Sequence, residues 1–286
     1  MADKYTALWV SHSSLTDFLN CPRSYFLKNI YRTPQTNRKI QLVTPALSLG
    51  SAIHEIIDSL SNLALDQRFT EPLPHQFTRL WQKYHGPAGG FFDPATEQHY
   101  YQRGLEIITR LVQHPGPLEK LAVKIKADLP SCWLSEKDQI ILCGKIDWLE
   151  FQPDQQTVRV IDFKTSRREE SPESLQLPIY FLLASHCQSY PVSGIAYWYL
   201  RQNTIPTPKT LPHPNQAKNH ILTLAKKVKL ARQLAHLTCP DHGCRHCLPF
   251  EKILHGKAQF IGLNSFGQEC YALPPTSESK IKEIIL

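Results

Sequence analysis

The sequence predicts an α/β protein in which a central mixed sheet is flanked by helices. Apolar residues recur at helical spacing in the N-terminal third, whereas residues 116–202 contain short runs rich in β-branched and aromatic residues between polar turns. Three cysteines cluster near the C-terminus. No convincing linker separates these parts, so we predict one domain over residues 1–286. Its predicted parts are a helical N-terminal region (9–115), a core (116–202), a basic helix with the cysteine cluster (203–256) and a C-terminal tail (257–286).

The N-terminal third is predicted to be helical. Ser13 or Ser14 can cap a first helix that extends to Ile30, and Pro22 is expected to break it. Further helices are predicted at 49–63 and about 96–113, with a Gly/Pro-rich loop at 85–95 between them.

The core is predicted to begin with three antiparallel strands joined by the polar turns SEKD and PDQQ. These strands are predicted at 121–129, 139–151 and 157–165. The elements expected after them are a helix over about 173–186, a strand at 194–200, a Pro-rich loop at 205–214 and a basic helix at about 217–237.

Composition and charge limit the class of protein. The chain has 32 Lys and Arg against 25 Asp and Glu, a net charge of +7, which suits a polyanionic partner such as nucleic acid. Eight cysteines in 286 residues are too few for a disulfide scaffold. No secretory signal or long apolar run is visible, so we expect a soluble, cytoplasmic protein. No P-loop pattern appears, so this chain is not expected to unwind duplexes itself.

Residues 144–166 carry the most informative pattern. If they form a hairpin that turns symmetrically about Asp154 and Gln155, Asp147 faces Asp162 about 5 Å away on one face of the sheet. Lys164 lies two residues beyond Asp162 and therefore points to the same face. Two opposed carboxylates destabilise a sheet unless a cation compensates them, and oxygen ligands suit Mg²⁺ or Mn²⁺.

Such a group can cleave a phosphodiester. The metal polarises the phosphoryl oxygens and lowers the pKa of a bound water, while Lys164 orients that water or stabilises developing negative charge. The alternative is that Asp147 and Asp162 are ordinary strand-end or solvent-facing residues, because the D-x-K pattern alone is very common.

An ordered set of motifs resembles the RecB-like family of the PD-(D/E)XK nuclease superfamily. The motifs are CPRSYFLKNIYR (21–32), LGSAIHEII (49–57), GKIDWLE (144–150), VIDFKTS (160–166) and QLPIYFLLA (176–184). The resemblance implies a restriction-endonuclease-like fold and a metal-dependent DNA exonuclease. It further implies action at single-stranded ends or flaps, a 5′-phosphate product, and a role in DNA repair, recombination or CRISPR adaptation.

The same resemblance assigns roles to residues. It implies that His54, Asp147, Asp162 and the Phe163 backbone carbonyl bind Mg²⁺ or Mn²⁺ and that Lys164 is the catalytic lysine. Gln176 and Tyr180 match its Q-x-x-x-Y motif and would position substrate beside the site. By itself His54 is also typical of a core histidine, and Gln176 and Tyr180 of a polar helix face. Relatives often carry an acidic residue just before the first sheet strand, where this chain reads AVKIKAD; either Glu119 or no residue fills that role.

A function of another class is also compatible with these motifs. The chain would then be a non-catalytic DNA-end-binding or metal-cluster scaffold subunit for a helicase, recombination or CRISPR partner. The intact set of Asp147, Asp162 and Lys164 favours catalysis, because a released site would tolerate loss of the lysine.

The cysteine cluster forms a C-x4-C-x2-C pattern with Cys239, Cys244 and Cys247. Resemblance to CRISPR-adaptation and AddB-type nucleases implies that these three bind a [4Fe–4S] cluster together with Cys21. Ile253, however, stands where those relatives carry a cysteine, so Cys239 must substitute. The first alternative is a Zn²⁺ ion, bound either by four cysteines or by three cysteines and His242 or His246. The second alternative is a set of reduced thiols without metal. The other cysteines are predicted to be buried small hydrophobes: Cys132, Cys143, Cys187 and Cys270.

Two groups of basic residues are candidates for DNA contacts. Arg167 and Arg168 directly follow the D-x-K strand, so we predict that they contact phosphates. The basic positions at 226–232 share one predicted helix and are expected to form a solvated face.

Overall fold

A computed structural model describes residues 3–275 of the chain. The α-helices are α1 (His12–Asn20), α2 (Pro22–Tyr25), α3 (Pro45–Leu60), α4 (Leu73–Trp81), α5 (Pro94–Gln113), α6 (Gln176–Cys187), α7 (Pro214–Gln233) and α8 (Leu248–Leu254). The strands are β1 (Leu8–Val10), β2 (Ile40–Val43), β3 (Ser131–Ser135), β4 (Ile140–Cys143), β5 (Trp148–Gln152), β6 (Thr157–Lys164), β7 (Val192–Tyr199), β8 (Thr207–Lys209), β9 (Gln259–Leu263) and β10 (Glu269–Ala272). Within residues 3–275, no helix is long and apolar enough to cross a membrane.

The described residues form two compact units. The first contains residues 3–16, 53–77 and 105–236, and is called unit 1 below. The second contains residues 17–52, 78–104 and 237–275, and is called unit 2. The assignment of all 286 residues to one domain stays a prediction.

Unit 1 is built on a four-stranded mixed sheet in the order β5-β6-β7-β8. β6 pairs antiparallel with β5 and parallel with β7, and β8 adds to β7 in antiparallel orientation. Helix α6, which is apolar almost all round, packs on β6 and β7 and contacts α7. A helix with this composition is stable only when it is buried, and eight of its twelve residues are. The predicted α/β class with a mixed sheet and flanking helices is confirmed.

The predicted register of the central hairpin is confirmed. β5 and β6 pair from Trp148 with Ile161 to Gln152 with Thr157. The turn between them covers residues 153–156, where Gln156 has a positive φ of 52°. Such a left-handed residue lets a short turn reverse the chain without shifting the strands.

Two of the three predicted core strands are wrong in extent. Residues 139–151 form two strands, because residues 144–147 leave the ladder and β4 joins a different sheet, in the order β1-β4-β3. Residues 121–129 are not a strand and make only one isolated bridge, between Ala122 and Glu150. Beyond Val123 most side chains of this segment are exposed, so little apolar burial holds it against β5.

Several helix boundaries also differ from prediction. α1 starts at His12 and its cap is Ser11: the Ser14 amide donates to Ser11 Oγ (3.2 Å), and the Ser11 amide donates to Ser14 Oγ (2.8 Å). The predicted break before Pro22 is confirmed. The helix predicted at 49–63 is α3, which spans Pro45–Leu60, and α4 was not predicted. Further differences are the start of α6 at Gln176, the extent of α7, and β8 inside the predicted Pro-rich loop.

Unit 2 contains a three-stranded sheet in the order β2-β10-β9. β10 runs parallel to β2 and antiparallel to β9. The prediction that residues after 256 form a tail outside the folded part is therefore wrong for β9 and β10. Residues 276–286 lie outside the described part of the chain.

Candidate active site and cysteine cluster

The hairpin places both predicted carboxylates at one end of unit 1's main sheet. Asp162 lies in β6 and is only 1% exposed, and Asp147 directly precedes β5 in line with the confirmed register. The Phe163 backbone amide donates a hydrogen bond to Asp147 Oδ2 (3.2 Å). This bond fixes Asp147 beside β6, although Asp147 lies outside the strand ladder.

His54, on α3, contacts the first carboxylate. Its Nδ1 lies 3.4 Å from Asp147 Oδ1, and its ring meets the Phe163 ring edge-on at 6.4 Å. The imidazole is 37% exposed. The alternative of an ordinary core histidine is therefore not supported, because this ring faces a carboxylate at an accessible cavity.

Lys164 is held by charges and a ring. Its Nζ lies 2.9 Å from Asp162 Oδ2, 3.4 Å from Glu170 Oε1 and 5.3 Å from the centre of the Tyr197 ring. Glu170 was not predicted from the sequence. It lies in the loop after β6, at a position that no residue spacing indicates.

Gln176 joins the acid and the lysine. Lys164 Nζ donates to Gln176 Oε1 (2.5 Å), while Gln176 Nε2 donates to Asp162 Oδ1 (2.6 Å). Nε2 also donates to the hydroxyl of Tyr180, one helical turn further on α6 (3.3 Å). Gln176 and Tyr180 are each 8% exposed, so the alternative of a solvated helix face is not supported.

Burial and mutual repulsion separate the pKa values of the two acids. Burial and then the charge of Asp147 raise the pKa of Asp162 to about 8, despite Lys164. Burial also acts to raise the pKa of Asp147, but the hydrogen bond and charge of His54 outweigh it, so the net pKa is lowered. Burial lowers the pKa of His54 less than Asp147 raises it, and the His54 pKa is raised overall. The two carboxylates therefore have pKa values shifted in opposite directions, although they line one cavity.

The cavity around these groups fits a hard cation. It has a volume of about 300 Å³ and is lined by His54, Asp147, Asp162, Phe163, Lys164, Thr165, Ser166, Gln176 and Tyr180. Asp162 Oδ2 is buried and accepts no hydrogen bond from the described residues, since its close contact with Lys164 lacks hydrogen-bond geometry.

The structure does not bring every predicted residue to this cavity. Glu119 is exposed and does not line it. Arg167 and Arg168 are exposed in the loop after β6, whose shape is held by hydrogen bonds from Gln202 Nε2 to the Arg167 carbonyl (2.6 Å) and from Ser166 Oγ to the Arg168 carbonyl (3.1 Å). On α7, Lys226 and Lys227 are exposed and Lys226 pairs with Asp138 at 2.8 Å, as expected for a solvated helix face.

The four predicted cysteines meet in unit 2. The Sγ atoms of Cys21, Cys239, Cys244 and Cys247 all lie within 4.8 Å of one another, and those of Cys244 and Cys247 are 3.8 Å apart. The segment turns back on itself at His242 and Gly243, whose φ values of 53° and 138° are both positive. Neither His242 nor His246 belongs to this group within the described residues, so the three-cysteine, one-histidine alternative is not supported.

Apolar packing brings the two distant ends of the cluster together. Cys21 and Cys247 are each 1% exposed and pack with Leu27, Ile40 and Phe250. Burial raises the pKa of Cys21 to about 12. Burial also acts to raise the pKa of Cys244, but backbone amides of His246 and Cys247 outweigh it and lower the value to about 7. None of the eight cysteines forms a disulfide. Of the other four, which were predicted to be buried, Cys143 and Cys270 are buried, but the prediction is wrong for Cys132 and Cys187, which are half-buried.

A mixed sheet that carries two acids and a lysine in one cavity defines a nuclease-type site. In agreement, a family model described as the PD-(D/E)XK nuclease superfamily matches residues 9–250. The chain belongs to this superfamily, which implies phosphodiester hydrolysis with DNA as substrate and usually involves divalent metals. A search of curated proteins found no match. The finer RecB-like assignment stays a prediction.

Proposed function

We propose that this protein is a Mg²⁺- or Mn²⁺-dependent DNA exonuclease of RecB-like type that acts at single-stranded ends or flaps. The observation that carries the proposal is the convergence of His54, Asp147, Asp162 and Lys164 on one cavity. We further propose a cytoplasmic role in DNA repair, recombination or CRISPR adaptation, with a helicase or another protein of these pathways as partner.

The metal ligands in this proposal are Asp147, Asp162, His54 and the Phe163 backbone carbonyl. The two carboxylates that line the cavity support this choice, because a hard cation prefers carboxylate oxygen. When bound, the ion supplies positive charge to the phosphoryl oxygens and favours ionisation of water.

The chain's own residues orient the scissile phosphate and the lysine. Lys164 Nζ is protonated, since Asp162 and Glu170 raise its pKa more than burial lowers it, and it stabilises charge that develops on the phosphoryl group. Gln176 is a positioning residue that fixes the ammonium group through its Oε1, and Tyr180 stabilises the Gln176 amide. Arg167 and Arg168 contact neighbouring phosphates, and cleavage leaves a 5′-phosphate.

A non-catalytic DNA-end-binding or scaffold subunit is the second candidate. The contacts of Lys164 with Asp162, Glu170 and Gln176 favour the enzyme, because a site used only for binding needs no lysine held between two acids.

End-labelled single- and double-stranded DNA would test the proposal. We expect products that shorten from an end in Mg²⁺ or Mn²⁺, no products after chelation, and faster digestion of single strands. Absence of cleavage with either metal, together with retained DNA binding, would establish the scaffold alternative.

Replacing Lys164 by Ala should lower the cleavage rate by roughly 10²–10³-fold, the usual loss when one preorganised donor to developing charge is removed. DNA affinity in Ca²⁺ should change little. Single-turnover rates and equilibrium binding separate the two effects.

The matched control is Lys227→Ala, which removes an exposed lysine of α7 in the same unit and should leave both quantities unchanged. Equal losses of binding and cleavage in Lys164→Ala would show that the lysine is structural.

We also infer that the four clustered cysteines bind one metal centre. The resemblance implies a [4Fe–4S] cluster, in which each thiolate binds a different iron and the sulfurs are spread around the cluster. The separations of at most 4.8 Å favour the Zn²⁺ alternative. Four sulfurs in a tetrahedron with ~2.3 Å bonds lie roughly 3.8 Å apart.

A further inference from the structure

A groove of about 590 Å³ in unit 1 shares the lining residue Asp147 with the carboxylate cavity. One wall is the segment 122–128, the other is 145–149, and Asp147 belongs both to this groove and to the metal cavity. The groove therefore borders the proposed metal site at Asp147.

The groove exists because residues 121–129 do not form a strand along β5. The Val123 amide donates to the Leu149 carbonyl (2.9 Å), and the Gly144 amide donates to the Pro130 carbonyl (3.1 Å). Between these two attachment points residues 124–129 diverge from the 145–149 segment. The opening is thus fixed at both ends by backbone hydrogen bonds.

The groove carries charges of both signs beside apolar surface: Lys124, Lys126 and Lys145 line it together with Asp58, Asp128 and Asp147. Lys124 and Lys126 are exposed on its wall, and neither forms an ion pair within residues 3–275. Lys124 Nζ donates to Ser61 Oγ (3.3 Å) and Asn62, which orients it. Lys145 pairs with Asp58 (2.9 Å), so this acid is already neutralised.

We propose that this groove binds the unpaired DNA strand on one side of the scissile phosphate, with Lys124 and Lys126 contacting backbone phosphates. This inference rests on the proposed function and deepens it by naming a path for the strand. Ammonium groups supply sequence-independent phosphate contacts. The apolar side chains of Val123, Ile125 and Ile146 can contact exposed bases, which a duplex keeps stacked inside.

The test uses the double variant Lys124→Gln and Lys126→Gln of the full chain. Binding of a labelled single-stranded oligonucleotide is measured in Ca²⁺ at several salt concentrations. We expect about tenfold weaker binding at low salt, and a slope of log K against log salt that is smaller by roughly 1.4, since each single-strand phosphate contact contributes about 0.7. In Mg²⁺ the KM should rise while kcat stays within about twofold.

The control is Lys218→Gln with Lys227→Gln, which removes two exposed lysines from α7 of the same unit. If wild-type protein cleaves DNA and the groove variant binds like this control, the groove inference is overturned and the nuclease proposal stands. If wild-type protein neither binds nor cleaves DNA, both are overturned. Should the double variant unfold, Lys126→Gln alone must reduce the slope by about 0.7, and an unchanged slope rejects the groove.

Discussion

Replacing Asp162 by Asn is expected to reduce DNA cleavage by about a thousandfold, which corresponds to ~4 kcal/mol of transition-state stabilisation. The Asn side chain keeps the shape and can still accept from Gln176, but it lacks the charge that holds a cation. Metal-dependent single-turnover cleavage measures the loss, and Mn²⁺ titration should show weaker binding of the ion. Asp154→Asn, in the exposed turn of the same hairpin, is the matched control and should be silent.

Asp162→Asn should also change how the free energy of unfolding depends on pH in chelator-treated protein. The folded-state pKa of Asp162 is raised to about 8, so the folded state binds this proton more tightly than the unfolded state does. Stability of the wild type should therefore fall as pH rises from about 4 to about 8. The Asn variant should lack this component. Thermal unfolding measured between about pH 4 and pH 8 gives this pH dependence for the wild type and for Asp162→Asn. If stability depends on pH identically in both proteins, Asp162 is not the buried, charge-coupled acid described above.

Replacing Cys21 by Ser is expected to release the metal from unit 2 and to cost about 3 kcal/mol, or ~6–12 °C in Tm. The reason is that this buried thiolate links a helix near the N-terminus to three cysteines more than two hundred residues later. Metal analysis of anaerobically purified wild type should find one zinc per chain and a colourless protein. Iron with sulfide and broad visible absorption would instead assign the [4Fe–4S] cluster.

Cys270→Ser is the matched control, since Cys270 is also buried in unit 2 but lies outside the cluster. It should retain the metal. Cys21 and Cys244 would bind the same centre. The double variant Cys21→Ser with Cys244→Ser should therefore lose little more stability than Cys21→Ser alone. Additive losses, or full metal content in Cys21→Ser, would show that these cysteines do not share an ion.

The candidate catalytic residues could be predicted from sequence because strand geometry is strictly periodic. The symmetric turn at residues 153–156 fixed which residues of β5 and β6 face each other, and the two-residue repeat put Lys164 on the side of Asp162. The spacing of Gln176 and Tyr180 likewise placed both on one face of α6. What periodicity did not reveal is the hydrogen bond of Gln176 to the lysine, which depends on how α6 packs on β6.

Strand extents were predicted less well because short apolar runs do not specify their partners. Residues 139–151 read as one strand, yet residues 144–147 divide them between two sheets. Residues 121–129 alternate lysines with apolar residues as an edge strand does, but only Val123 and its neighbours stay attached to β5. β9 and β10 were missed because each is four or five residues long and gains stability only from the sheet that contains β2.

The sequence alone determined the chemical inventory of this protein: two carboxylates, a lysine and a histidine with oxygen-ligand chemistry, and four thiols that suit a soft metal. Hairpin periodicity also predicted that Asp147, Asp162 and Lys164 share one face, whereas the contacts between groups on distant elements were decided by the tertiary structure. Contacts such as Cys21 with Cys247 or His54 with Asp147 join residues far apart along the chain. Their distance is set by the burial of apolar side chains around them, and no local pattern in the sequence encodes that packing.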